Sequence, residues 1–216
     1  MAVLDYLIIK YPDLRLKMSD SQKVRGYFAN KYSSELMFHN HENKSFLYGY
    51  PKIQYKVIDK IPHLVGISEG AILLKETAVN EDSIDVDGKT YISKIEVINE
   101  KAEFGISKMN TYEFKVPWMP INQENFKKYA DSDNFEKEEL LKRILAGNIL
   151  SMAKGFEHTV SERILSDLNL DEITVKFKNK NMVGFKGTFE CNFSIPNYLG
   201  LGKSVSRGFG TVKKVN

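Results

Sequence analysis

Apolar and aromatic residues fill AVLDYLIIKY near the start of the chain, and the run stops at Pro12, which predicts a first strand. Ser19 or Asp20 then offers a cap, and Val24, Tyr27, Phe28 and Tyr32 recur at helical spacing through SQKVRGYFANKY. That helix buries one stripe and carries Lys23 and Arg25 away from it. SSELMFHNHENKSFLYGY reads as a polar loop with a few apolar anchors. KIQYKVID and HLVGIS are two short β-type runs separated by Lys60, Ile61 and Pro62, as in a tight hairpin. EGAILLKETA reads as a short helix and TYISKIEVINE, by its alternation, as a strand. The order β-α-β-β-α-β over roughly the first hundred residues is the ferredoxin-like pattern.

A second cycle follows. AEFGISKMNTYEFKV is strand-like up to Pro117, NQENFKKYA is helical, and EKEELLKRILAGNILSMAKGF is a longer helix with Leu141, Ile144, Leu145 and Met152 on one stripe. DEITVKFKNKNMVGFKGTFECNFSI contains two alternating runs with a turn expected around Lys180 and Asn181. A glycine-rich loop and a last strand, GTVKKV, close the chain. The expected fold class is therefore α+β: tandem ferredoxin-like domains, 1–105 and 106–216, the second with a glycine-rich loop in place of a helix.

The formal net charge of +3 changes this picture only when divided along the chain. From Ile173 onward there are eight Lys or Arg against one acid, Glu190, which leaves 23 basic and 27 acidic residues in the first 172. A cationic C-terminal quarter on a slightly acidic protein is the footprint of a polyanion binder. A single cysteine, Cys191, excludes a disulfide framework and a zinc site of several thiolates, and implies a reducing, cytoplasmic setting. The first apolar run is short, carries Asp5 and lacks a basic lead, so neither a signal peptide nor a membrane span is expected.

The loop itself is GLGKSVSRGFG, Gly200 to Gly210. Its GKS invites a Walker A reading, but the glycine that motif needs five positions earlier is Asn197. The dinucleotide fingerprint fails too, because Val205 stands at the third glycine position and no room remains for the following helix and strand. What survives is two Gly-x-Gly pairs, Gly200 with Gly202 and Gly208 with Gly210, enclosing Lys203, Ser204, Ser206 and Arg207. Glycines let a backbone lie against a ligand, and cations and hydroxyls contact phosphate or sugar. A plain turn between strands explains the glycines equally well.

GLGKSVSRGFG resembles the signature loop of the CRISPR-associated repeat-RNA endoribonucleases, the Cas six family. The stretch KVRGYFANKYSSELMFHNHENKSFLYGYPKIQYKVIDKIPHLVGISEGA resembles the N-terminal region of its b-type subgroup, including RGY, the His-x-His and YPKIQYKVI. The resemblance implies cleavage of precursor CRISPR RNA within each repeat, without a metal or other cofactor. Its implied partners are CRISPR repeat RNA, a second copy of the chain and other CRISPR effector proteins, with no membrane.

RNA is cut without metal when a base takes the proton of the ribose 2'-OH, this oxygen attacks the adjacent phosphate, and an acid protonates the leaving 5'-oxygen. Products are a 2',3'-cyclic phosphate and a 5'-OH. Histidine suits both proton transfers because its pKa lies near neutrality. By the resemblance, His39, His41 and Tyr48 match the acting residues, with base and acid divided between the histidines in either order. RNA contacts fall to Lys23, Arg25 and the loop. A metal on His-x-His would need a third ligand that the chain does not supply nearby. The contiguous letters HNH are unrelated to the metal nuclease motif of that name. His63, His158, Trp118 and Phe209 are expected to be structural. The alternative reading is a non-catalytic RNA-binding subunit of a CRISPR ribonucleoprotein, which would have no need of the histidine pair.

Overall fold

A computed structural model of the chain describes residues 1–39, 41–42, 45–46 and 49–215, apart from the side chains of residues 39, 41, 42, 45 and 46. The elements are β1 (Ala2–Lys10), α1 (Ser21–Lys31), α2 (Leu36–His39), β2 (His41–Glu42), β3 (Ser45–Phe46), β4 (Ile53–Ile58), β5 (Ile61–Ile67), α3 (Glu69–Thr77), β6 (Ser83–Val86), β7 (Lys89–Ile92) and β8 (Glu96–Phe114). They continue with α4 (Gln123–Asp131), α5 (Asn134–Gly155), β9 (Ser166–Phe177), β10 (Lys180–Ser194) and β11 (Val212–Lys214). The fold is α+β and divides into two compact units. An N-terminal unit comprises Val3–Glu103 with Ser204–Gly208, and a C-terminal unit comprises Met1–Ala2, Phe104–Lys203 and Phe209–Asn216.

In the N-terminal unit the strand order is β4-β5-β1, all antiparallel, with the first part of β8 next to β1. The ion pairs Lys10 to Glu96 and Lys101 to Asp5 join those two strands at their exposed edges. Inward-facing Leu7, Ile9, Ile53, Tyr55, Val57 and Leu64 form a core with Val24 and Phe28 of α1 and Leu73 and Leu74 of α3. The helical spacing read in α1 is thus the spacing of its buried stripe.

The β4–β5 turn lies at Asp59 and Lys60, both left-handed at φ 51° and 68°, and not at Lys60 to Pro62. Two left-handed residues match the twist of a two-residue hairpin, so the ladder runs on through Val57 opposite Pro62 and Ile58 opposite Ile61. The strand expected over TYISKIEVINE is interrupted. Its first residues close a hairpin, β6–β7, around Asp87 and Gly88, and Asp13 captures the break by donating its N–H to Ser93 Oγ (3.2 Å) and accepting from Lys94 N (3.0 Å). The supposed polar loop contains α2 and the short antiparallel pair β2–β3.

In the C-terminal unit β10 pairs with β8 and β9, and β11 pairs with β8 opposite the same residues, Tyr112 and Glu113, so the order is β11-β8-β10-β9. The β9–β10 turn is again two left-handed residues, Lys178 and Asn179, two residues before the position expected from sequence. Asn122 and Asp133 cap α4 and α5 by accepting the N–H groups of Asn125 and Glu136. Of the stripe read in α5, Leu141, Leu145 and Met152 are buried and Ile144 is half-exposed. Trp118 is fully buried, stacks on Phe114 at 5.4 Å and donates its indole N–H to Asn148 Oδ1 (3.0 Å). Among the described residues no helix is long and apolar enough to cross a membrane.

Candidate functional site

The glycine-rich loop is held by its own backbone. In the C-terminal unit Gly200 bridges Thr211, Leu201 N–H donates to Gly210 O (2.9 Å), Gly210 N–H to Pro117 O (2.8 Å) and Lys203 N–H to Met119 O (3.3 Å). Gly210 has φ 63°, and a Cβ there would lie 1.9 Å from Leu201 O. Gly208 has φ 94° and packs against Tyr55 O, 3.1 Å from where its Cβ would be. These two glycines therefore serve close approach of the protein to itself. Gly200, Gly208 and Gly210 are buried, Gly202 is half-buried, and the half-exposed side chains are Lys203, Ser204, Ser206 and Arg207. Burial lowers the pKa of Lys203 below its ordinary value.

The centre of the loop, Ser204–Gly208, belongs to the N-terminal unit and is fixed there at two carbonyls. Lys56 Nζ donates to Val205 O (3.0 Å), and Ser21 Oγ donates to Arg207 O (2.6 Å). Lys56 is fully buried, and desolvation drives its pKa well below the usual lysine value. Neither Lys56 nor Ser21 stood out in the sequence. The only signal was a lysine alternating with Gln54 among the apolar residues of β4, and alternation assigns such residues to solvent.

Arg25 of α1 belongs to the same neighbourhood. Burial lowers its pKa, and the charge of Arg207 acts in the same direction against an opposing effect of Tyr55, so the two guanidiniums lie within electrostatic reach of each other. Such a pairing of like charges favours an anionic ligand. Lys23 is differently placed. Its ammonium lies between Asp87 (2.6 Å) and Asp20 (2.9 Å), and the hydrogen bonds to these carboxylates raise its pKa. A phosphate at Lys23 has to displace one of them.

The histidine segment is anchored from below. Phe38, fully buried, stacks on Tyr32 at 4.7 Å and Phe28 at 6.2 Å, and Tyr55 Oη donates to its carbonyl (3.0 Å). This cluster fixes the chain one residue before His39, the last residue of α2, while His41 opens β2 opposite Phe46. The side chains of His39 and His41, and Tyr48 entirely, lie outside the described residues. His63 is buried, with Nδ1 2.8 Å from Ile61 O, and desolvation lowers its pKa to about 4. His158 packs edge-on against Phe104 and Phe193. Phe209 is buried edge-on against Phe177.

Residues 2–104 match the Cas6b N-terminal domain, and residues 105–215 match the Cas6b C-terminal domain. A crystal structure of Cas6b is 46% identical, with a TM-score of 0.95 over 99% of this chain and 100% of the other. A second, the CRISPR RNA processing endoribonuclease Cas6b, is 43% identical, with a TM-score of 0.81 over the same shares. An uncharacterized protein of Methanocaldococcus jannaschii is 40% identical over 147 residues, covering 65% of this chain and 97% of that protein.

Proposed function

The chain belongs to the Cas6b family, and on that premise we propose that it processes CRISPR RNA as a metal-independent endoribonuclease, cutting within the repeat. The observation that carries the reading is the likeness to Cas6b over 99% of the chain at 46% identity. The strand orders β8-β1-β5-β4 and β11-β8-β10-β9 support reading each unit as ferredoxin-like, with the glycine-rich loop standing where the second unit would otherwise have a second helix.

In the proposed reaction one histidine of the pair His39 and His41 takes the proton of the 2'-OH. The 2'-oxygen bonds to phosphorus, the bond from phosphorus to the 5'-oxygen breaks, and the other histidine gives that oxygen a proton. Tyr48 orients the reacting groups, and Arg25, Lys203 and Arg207 hold phosphates of the strand. The hydroxyls of Ser204 and Ser206 add donors to the same backbone. Binding energy then comes mostly from phosphate contacts, and selectivity has to come from groups that touch bases.

The test is incubation of the protein with its cognate repeat RNA in EDTA. The expected product ends in a 2',3'-cyclic phosphate, with a 5'-OH on the downstream piece. Absence of cutting, or cutting that requires magnesium, rejects the proposal.

A further inference from the structure

A cavity of about 300 Å³ opens in the C-terminal unit between the start of α4 and the β9–β10 hairpin, away from every residue assigned above. Its volume sits at the lower end of the range for small-ligand pockets, enough for one nucleoside-sized group. Ile121, Met182 and Val183 give it an apolar lining, and Phe126 contributes a ring that is 53% exposed. Five polar side chains interrupt that lining: Asn122 and Gln123 at the start of α4, and Glu172, Thr174 and Asn181 on the hairpin. Tyr129 Oη donates to Glu172 Oε2 (2.5 Å), which fixes the carboxylate and leaves Oε1 to accept from a ligand. In the β9–β10 ladder Lys176 stands directly opposite Asn181, so an exposed cation flanks the cavity.

This combination narrows the occupant. A phosphate or carboxylate inside would face Glu172, and a purely apolar side chain would bury the carboxylate, hydroxyl and amide without partners, at the cost of their hydration. A flat heterocycle satisfies all of them: its faces stack on Phe126 and the aliphatic wall, and its edge donates to an acceptor-only carboxylate. Resting on the RNA reading above, we propose that this cavity is a base pocket. It takes one unstacked nucleobase bearing an exocyclic amino group, with Phe126 as the stacking face, Glu172 as the acceptor and Lys176 on the adjoining phosphate. Such a pocket supplies base discrimination that the phosphate-binding loop lacks.

The test follows the methyl resonances of Ile121, Met182 and Val183 in the full-length protein titrated with CMP, AMP, UMP and ribose 5-phosphate. CMP and AMP are expected to shift these signals at millimolar concentration, UMP more weakly, and ribose 5-phosphate not at all. Phe126→Leu, at an exposed position that folding tolerates, weakens the response about five- to a hundredfold, whereas Phe126→Tyr retains it. Glu172→Gln abolishes the preference for amino-bearing bases. Methyl signals that ignore all four compounds, an equal response to ribose 5-phosphate, or undiminished binding by Phe126→Leu overturns the base pocket. Shifts produced only by another CRISPR protein overturn it as well. Repeat-RNA cleavage in EDTA is measured on the same sample. Its loss with nucleotide shifts intact removes the nuclease reading alone, and the reverse removes the pocket alone.

Discussion

An unperturbed imidazole exchanges its proton near neutral pH, which is the property asked of His41. Replacing it in His41→Ala is expected to lower the cleavage rate about a hundredfold or more, the usual contribution of one positioned acid or base, while repeat-RNA affinity measured by filter binding stays within about twofold. Unchanged cutting removes His41 from the chemistry. His63 uses the same side chain in the opposite way. Folded, it stays neutral down to about pH 4, while the unfolded chain takes up its proton near 6.5, so the unfolded state binds more protons between those values. Stability is therefore fully present above 6.5 and declines as pH falls towards 4, by up to about a tenfold change in the folding constant per pH unit. His63→Asn keeps a donor near Nδ1 and removes the titration. Urea midpoints from pH 7 to 4 should fall less steeply in the variant, and parallel curves would exclude His63 as a source of acid lability.

Among the elements, β4 carries the most unexpected duty. Its six residues are all buried, including Gln54 and Lys56, although their alternation with Ile53, Tyr55 and Val57 reads as a strand with one wet face. The second face is covered by Val205 and its neighbours, which lie far along the chain, and no local pattern records such a contact. The same limit applies to the hairpins. Alternation located β4, β5, β9 and β10, but their turns fall where two consecutive non-glycine residues turn left-handed, at Asp59–Lys60 and Lys178–Asn179, and proline and asparagine in the sequence pointed one or two places further on. The glycine pairs were legible as a special backbone, and their reason, contact with Leu201 O and Tyr55 O, was not. His39 and His41 were singled out through resemblance; the cation Arg25, within electrostatic reach of Arg207, was legible as a helix position off the apolar stripe.

Lys56→Met tests this duty. It removes one of the two donors to Val205 O and keeps the other, Gly208 N–H (3.1 Å), so the lost hydrogen bond is expected to cost about 0.5–1.5 kcal/mol. The pH dependence carries a further sign: the unfolded chain holds the lysine proton up to about pH 10.5, and the folded chain releases it well below, so wild-type stability rises with pH in that interval. The advantage of wild type over Lys56→Met should grow from neutral to alkaline pH in urea titrations. A constant offset would mean that the ammonium stays charged against the Val205 carbonyl.

For the whole molecule, charge is distributed more tellingly than it is summed. The eight cations from Ile173 onward predict affinity for repeat RNA that falls steeply with salt, because each phosphate contact releases counterions. Lys203→Ala and Arg207→Ala should each lower the slope of log affinity against log salt by about one, irrespective of RNA sequence. Lys23→Ala, with its ammonium already shared by Asp20 and Asp87, should change the slope less than either. Equal effects of all three in fluorescence anisotropy titrations would contradict the geometry of the pairs.

Ser204–Gly208 also ties the order of synthesis to the order of folding. A ribosome delivers Val3–Glu103 early, but the peptide that offers carbonyls to Lys56 and Ser21 emerges only after nearly all of the C-terminal unit has been made. Until then the second face of β4 is uncovered and the Lys56 ammonium stays in water. The N-terminal unit is therefore complete only once Ser204–Gly208, made about a hundred residues after Glu103, has joined it, and the glycine-rich loop takes its final form in the same step.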